Sequence, residues 1–210
     1  MKTSQYLREA RTIFTNGLLL KNPLLIGALG LYPVIAGAYS LKNALTLSLL
    51  ILVISLPVGL IMCFFGELVP LWLRPGVALG LNALVYIPAA ALAEQIMPGV
   101  ASSLGMISGL MICNSMVLSR LNDYAPSHIG LAVAADALGC TLGYSLILLA
   151  VAAFREFLLT GQVTGGNVTG GKSFALPFFG LICVGFLAAF VQWINEHRIH
   201  SAAKRGADKA

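Results

Sequence analysis

The sequence predicts an all-α polytopic membrane protein with six transmembrane helices. Three observations lead there. Of 210 residues, 58% are hydrophobic and only 10% charged, against about 25% charged in an ordinary soluble domain. The mean hydropathy is +0.88. The apolar residues fall into six stretches of roughly the 20 residues that a spanning helix requires, with no strand-like alternation that would indicate a barrel. A soluble fold of this size has too little interior to bury so much apolar surface. Composition therefore excludes a soluble enzyme, a nucleic-acid binder and a disordered chain.

Residues 1–22 form a polar lead-in, without the apolar core and small-residue cleavage site of a signal peptide. Tyr6, Leu7, Ala10, Ile13, Phe14 and Leu18 recur at helical spacing with Arg8 and Arg11 opposite, the pattern of a helix lying on the cytoplasmic membrane surface. The spans are expected at 23–41, 43–65, 75–97, 101–119, 129–154 and 174–194, followed by a basic tail over 195–210. Together they make one integral membrane domain. The Gly-rich stretch at 160–172 reads as a flexible connector on composition. Its Gly171-Lys172-Ser173 ending lacks the strand and spacing of a phosphate loop.

Orientation follows from the basic residues. With a cytoplasmic N-terminus and six crossings, the inside holds Lys2, Arg8, Arg11, Lys21, Arg74, Arg120, Arg198, Lys204, Arg205 and Lys209, and the outside holds Lys42, Arg155 and Lys172. Ten against three is a clear positive-inside bias. Both ends are expected in the cytoplasm of a bacterial cell, with the spans in its inner membrane. The net charge of +5 thus sets topology and favours contact with anionic lipid.

Ionisable residues are rare within the spans, so each is informative. Asp136 lies about eight residues into the fifth span, roughly 12 Å deep at 1.5 Å per residue. It reads either as an ion or proton relay, or as a structural carboxylate that caps a broken helix end or pairs with Arg120. Arg120, at the cytoplasmic end of the fourth span, reads as a topology anchor able to snorkel. Gly139 and Gly143 make a small-xxx-small step that admits a close neighbouring helix. Arg155-Glu156 reads as a local pair of little energetic value. Cys63, Cys113, Cys140 and Cys183 are spread through apolar stretches and read as packing residues. No His/carboxylate spacing suggests a metal site.

Two spans look interrupted. Gly27, Gly30, Pro33 and Gly37 break the first, and Gly105 and Gly109 precede Cys113-Asn114-Ser115 in the fourth. These are the first spans of two three-span halves. Broken spans at matching positions point to an inverted repeat with a site where the breaks meet. Tyr32, Asn114 and Ser115 are the polar groups there.

The same residues carry a family resemblance. The stretches NGLLLKNPLLIGALGLYPVIAGAYSLKNAL (16–45), CNSMVLSRLNDYA (113–125) and DALGCTLGYSLILLAVAAFREFL (136–158) resemble the small six-span subunits of the Rnf and Nqr respiratory complexes, of the Rnf E / Nqr D type. The resemblance implies a subunit of a redox-driven Na+ or H+ pump. It also implies a homologous six-span partner of opposite orientation, related by a pseudo-twofold axis, alongside other Rnf/Nqr-like subunits. Typical members give two cysteines from their broken helices to a shared [2Fe–2S] cluster, one in G-[LI]-C-P and one in T-N-C. Here Tyr32 stands at the first position, before Pro33, and Ser115 at the second. Cys113 is two residues away, on another helical face. A phenol and a hydroxyl are poor substitutes for thiolates, so the expectation is no cluster of its own. The sequence leaves open a subunit of such an electron-transport complex, a cluster-less paralogue moving a cation or small solute, and a purely structural subunit. In none of these is the chain more than a non-catalytic or electron-transfer part of a translocase.

Overall fold

A computed structural model describes residues 11–15, 17–18, 22–160 and 176–207. All regular structure among them is helical. We label the helices α1 (Pro23–Gly27), α2 (Pro33–Gly37, π-type), α3 (Leu41–Phe65), α4 (Arg74–Ile96), α5 (Val100–Leu104), α6 (Met106–Gly109), α7 (Ser115–Ser119), α8 (Gly130–Thr160) and α9 (Pro177–Ala207). A tight 3-10 turn, Leu110–Cys113, extends α6 to Asn114, and a wide π turn, Arg120–Tyr124, continues α7.

Three helices, α3, α4 and α8, are long and apolar enough to cross a membrane by length and composition. In α9 the apolar part is shorter, Phe178–Ile194. The chain is a multi-pass membrane protein. The second and third spans start and end within two residues of the expected limits. The fifth is longer: α8 runs on through Arg155 and Glu156 to Thr160. The sixth also continues, with helix reaching Ala207 through most of the expected tail. Beyond Thr160, the Gly-rich connector lies outside the described residues, as do residues 1–10 of the lead-in.

Packing centres on α3 and α8, which lie against each other. Leu47, Leu50, Ile54 and Val58 of α3 and Tyr144, Leu148 and Val151 of α8 are almost wholly buried. The third span, α4, covers α3 and the fourth, interrupted span. The last, α9, lies along α1, α2 and α8. Each broken span is thus backed by the last helix of one chain half.

The described part of the lead-in departs from a helix resting wholly on the surface. Residues 11–15 are helical, but the following backbone lies against α8 where the side chains vanish. A Cβ on Gly139 would sit 2.7 Å from Phe14 O, and one on Gly143 would collide with Leu18 O. The close-packing step at Gly139 and Gly143 receives this segment rather than another full span.

Candidate functional site

The two breaks are built by different local chemistry. In the first, α1 ends at Ala28, whose backbone is left-handed at φ 53° and whose N–H bonds to Pro23 O. Gly30 follows at φ 74°. Only glycine fits there: a Cβ would lie 2.8 Å from Asn114 Oδ1 and 3.1 Å from the Tyr144 ring. Pro33, with no N–H to satisfy, then starts α2. In the second break Asn114 is extended, at φ −61° and ψ 117°, and its side chain accepts from Met116 N–H at 3.0 Å, capping α7.

These interruptions meet. Gly30 N–H donates to Ser115 Oγ at 2.8 Å, and Tyr144 OH donates to Gly30 O at 2.9 Å. From α4, Asn82 Nδ2 donates to Ile112 O at 3.0 Å and Tyr86 OH to Ser108 Oγ at 3.1 Å. Freed backbone groups in an apolar layer require such partners. Asn114 and Asn82 are fully enclosed. Tyr32 precedes α2, within electrostatic reach of Cys113 and Tyr86. Its phenol oxygen is covered and has no hydrogen-bond partner among the described residues. Cys113 itself is exposed. The structure therefore brings Gly30, Asn114 and Ser115 together directly, with Tyr32 and Cys113 beside them.

Asp136 lies elsewhere on α8. Tyr144 is eight residues further on, about 12 Å along the axis, so the carboxylate stands two turns from the break. Its Oδ2 is 3.6 Å from Arg120 Nε, and its Oδ1 accepts from Cys140 Sγ at 3.6 Å. The Asp136 side chain is 8% exposed and that of Arg120 33%. Asp136 and Arg120 border a cavity of about 10 Å³ with Ser55, Gly59 and Tyr124, room for about one water. The Arg120 guanidinium lies 5.8 Å from the centre of the Tyr124 ring, and that ring stacks on exposed His128 at 3.8 Å. A chain of polar groups thus leads from open His128 inward to Asp136.

Arg155 and Glu156 do something the sequence reading missed. They are nearly inaccessible, at 1% and 7%. Arg155 Nη1 donates to Ile35 O at 3.0 Å and Ala38 O at 3.2 Å, and Nη2 to Leu176 O at 3.4 Å. Glu156 Oε2 accepts from Leu41 N–H at 2.6 Å. One side chain caps the end of α2 and the other the start of α3, the favourable sign at each helix terminus. Tyr144, Asn82 and Tyr86 were missed as well. They are uncharged, and a search for ionisable intruders passes over them, although a phenol or an amide within an apolar run gives the same signal.

Interrupted spans, polar groups gathered at the interruption and a carboxylate–guanidinium pair buried among apolar helices define a broken-helix membrane protein of the kind that handles ions within the bilayer. The chain belongs to the Rnf-Nqr family. Residues 10–192 match the family described as "Rnf-Nqr subunit, membrane protein", in agreement with the resemblance read from the sequence. It is 33% identical over 213 residues to the E component of the ion-translocating oxidoreductase complex of Cellvibrio japonicus, covering 89% of this chain and 87% of the relative. It is 25% identical over 190 residues to the E component of the proton-translocating ferredoxin:NAD(+) oxidoreductase complex of Clostridium ljungdahlii, covering 88% and 89%. With the D component of the Na(+)-translocating NADH-quinone reductase of Pseudoalteromonas translucida it shares 27% over 161 residues, 77% of each chain.

Proposed function

We propose that the protein is a membrane subunit of an Rnf/Nqr-type ion-translocating electron-transport complex. It sits beside a homologous six-span subunit of opposite orientation and further subunits of that complex. The observation that carries this reading is the family match over residues 10–192, joined to a buried Asp136–Arg120 pair at the inner end of a polar chain. Mild-detergent purification of the tagged chain tests it: flavin-linked and ferredoxin-like subunits are expected to come with it.

In this reading the chain crosses the bacterial inner membrane six times, as two inverted three-helix repeats with both ends cytoplasmic. The packing supports the repeat, since α4 backs one broken span and α9 the other. Trp72, just before α4, and Trp193, late in α9, are both exposed. In this topology they fall at the same face, where interfacial indoles belong. Reporter fusions at Gly165 and Ala210 are expected to report opposite sides. The same side for both overturns the topology.

Asp136 serves as the relay group and Arg120 as its resident counter-ion. With no cation bound, the guanidinium compensates the carboxylate. An arriving cation or proton takes over that compensation, and Arg120, one-third exposed, swings toward water.

The residues at the breaks do not fit an iron–sulfur ligand set. Ser115 Oγ is engaged by Gly30 N–H, and Tyr32 offers a phenol where a thiolate is required. We therefore assign the chain no cluster ligands of its own. Anaerobically isolated protein is expected to lack cluster absorbance and paramagnetic resonance once partner subunits are removed. A stoichiometric reduced-cluster signal that disappears in Cys113→Ala overturns this. The hydrogen-bonded closure of the break also favours a second reading, a cation or small-solute transporter without redox chemistry. Purification free of redox subunits, with cation movement by the chain alone, would select it.

A further inference from the structure

His128 is exposed, yet it is held at three points. Its Nδ1 lies 2.9 Å from Tyr124 O. Its ring stacks on the Tyr124 ring, with centroids 3.8 Å apart and planes inclined by 14°. Its own carbonyl accepts from the Cys63 thiol at 3.0 Å. A carbonyl oxygen can only accept, so Nδ1 carries the hydrogen and donates to Tyr124 O. Nε2 is left as the nitrogen that gains or loses a proton.

The ring that carries His128 also carries Arg120, whose guanidinium carbon lies 5.8 Å from the Tyr124 centroid. An aromatic face attracts either cation. Imidazole and guanidinium are within roughly 10 Å of each other, about one Debye length at 0.1 M salt, so a charge on one is felt by the other. Further charged and titratable groups stand on the elements around them. The π turn brings Arg120, Asp123 and Tyr124, with Asp123 exposed and accepting from Ser119 Oγ at 3.1 Å. From α3 comes Cys63, with Glu67 in the turn beyond it. From α8 comes Asp136, within electrostatic reach of His128, with Cys140 behind it. The lead-in, which crosses α8 further in, adds exposed Arg11.

For Asp136 to take a cation, Arg120 must move toward water, and His128 stands on the water side. A neutral imidazole leaves that way open. An imidazolium acts three times in one direction. It repels the guanidinium and keeps it on Asp136. It occupies the aromatic face that would receive the guanidinium. It also sets a positive charge at the mouth through which a cation arrives.

We propose that His128 is a positioning residue that controls cation loading at Asp136: neutral, it lets Arg120 release the carboxylate, and protonated, it holds the pair closed. The proposal rests on the relay reading of Asp136 and adds its control. An imidazole changes charge between about pH 5 and 8, so acidification on the side where His128 opens shuts the site. In the orientation proposed above, that side is the cytoplasm.

Sodium-22 binding to the purified full chain tests this. Near pH 8, His128→Arg, a fixed cation, is expected to bind sodium roughly tenfold more weakly than His128→Gln, the effect of a second unit charge about 10 Å away near a protein surface. On acidification to about pH 6, wild type is expected to lose several-fold more affinity than His128→Gln. The loss that remains in His128→Gln is proton competition at Asp136 itself. A histidine that merely holds the turn together would leave both variants equally weak, or leave His128→Gln with the wild-type pH profile; either result overturns the proposal. Should His128→Arg not fold, His128→Lys takes its place. Should the chain bind no sodium, the rate at which phenylglyoxal modifies Arg120 near pH 8, read by mass spectrometry, decides. Several-fold faster modification in His128→Gln than in His128→Arg supports the proposal, and equal rates overturn it. Failure of the relay reading is a separate result, since it shows as wild-type sodium binding by Asp136→Asn whatever the His128 variants do.

Discussion

Asp136→Asn is expected to reduce cation movement in reconstituted vesicles to background while leaving insertion and expression near normal. The carboxylate is almost enclosed and faces Arg120 at 3.6 Å and the Cys140 thiol at 3.6 Å. An ionised carboxylate near the centre of a spanning helix costs about 3 kcal/mol unless it is compensated. A translocated cation or proton supplies that compensation, which is why such a position suits a transfer site. Asparagine keeps the shape and one acceptor oxygen, which still serves the Cys140 thiol, while its amide nitrogen replaces the oxygen that faced Arg120. The lost property is the switchable negative charge. Arg120 is left without a counter-charge, but at one-third exposed it can turn its guanidinium outward. Asp136→Leu removes the acceptor too and is the control for folding. Normal transport by Asp136→Asn, with Asp136→Leu merely unfolded, would make the residue a structural acceptor and end the relay reading.

Arg155→Met is expected to cause the larger loss of stability. Methionine fills much of the same volume but leaves the carbonyls of Ile35, Ala38 and Leu176 without the guanidinium that now joins them. Each buried acceptor so stripped costs about 1–3 kcal/mol. The folded yield in detergent and the midpoint of thermal size-exclusion melting should both fall sharply. Arg155→Lys should recover little, since an ammonium lacks the planar fork that reaches several carbonyls at once. Glu156→Gln retains an acceptor for Leu41 N–H and should be mild. An Arg155→Met chain with an unchanged melting midpoint would show that these caps are dispensable.

The apolar runs that form α3, α4 and α8 are legible because they contain few polar residues and end in turn-forming ones. Both interruptions are legible from Gly30, Pro33 and Asn114, since each fails to continue a helix for a stated chemical reason. Asp136 and Arg120 are each visible as costly intruders. Their pairing is one of several open possibilities in the sequence, because 16 residues and a helix reversal separate them. The role of Arg155 and Glu156 is hidden for the opposite reason. Adjacent opposite charges at the edge of an apolar run look like the end of a span, whereas here the partners come from residues more than a hundred positions earlier. In the lead-in, the periodicity of its own side chains does not announce the contact that the described residues make with α8. What admits its backbone to α8 is the absence of side chains at Gly139 and Gly143, a step legible as a site of close approach but not as to which segment occupies it.

The bonds at Gly30 also impose an order on synthesis. Its N–H is matched by a residue 85 positions later and its C=O by one 114 positions later. At about 5–20 residues per second, Tyr144 is made roughly 6–23 s after Gly30. For that interval the first half of the nascent chain has an open peptide link that lipid cannot solvate. It must stay in the hydrated interior of the insertion machinery, or hold that link near the membrane surface, until the second half arrives. The break is therefore expected to be among the last parts of the molecule to settle at full depth.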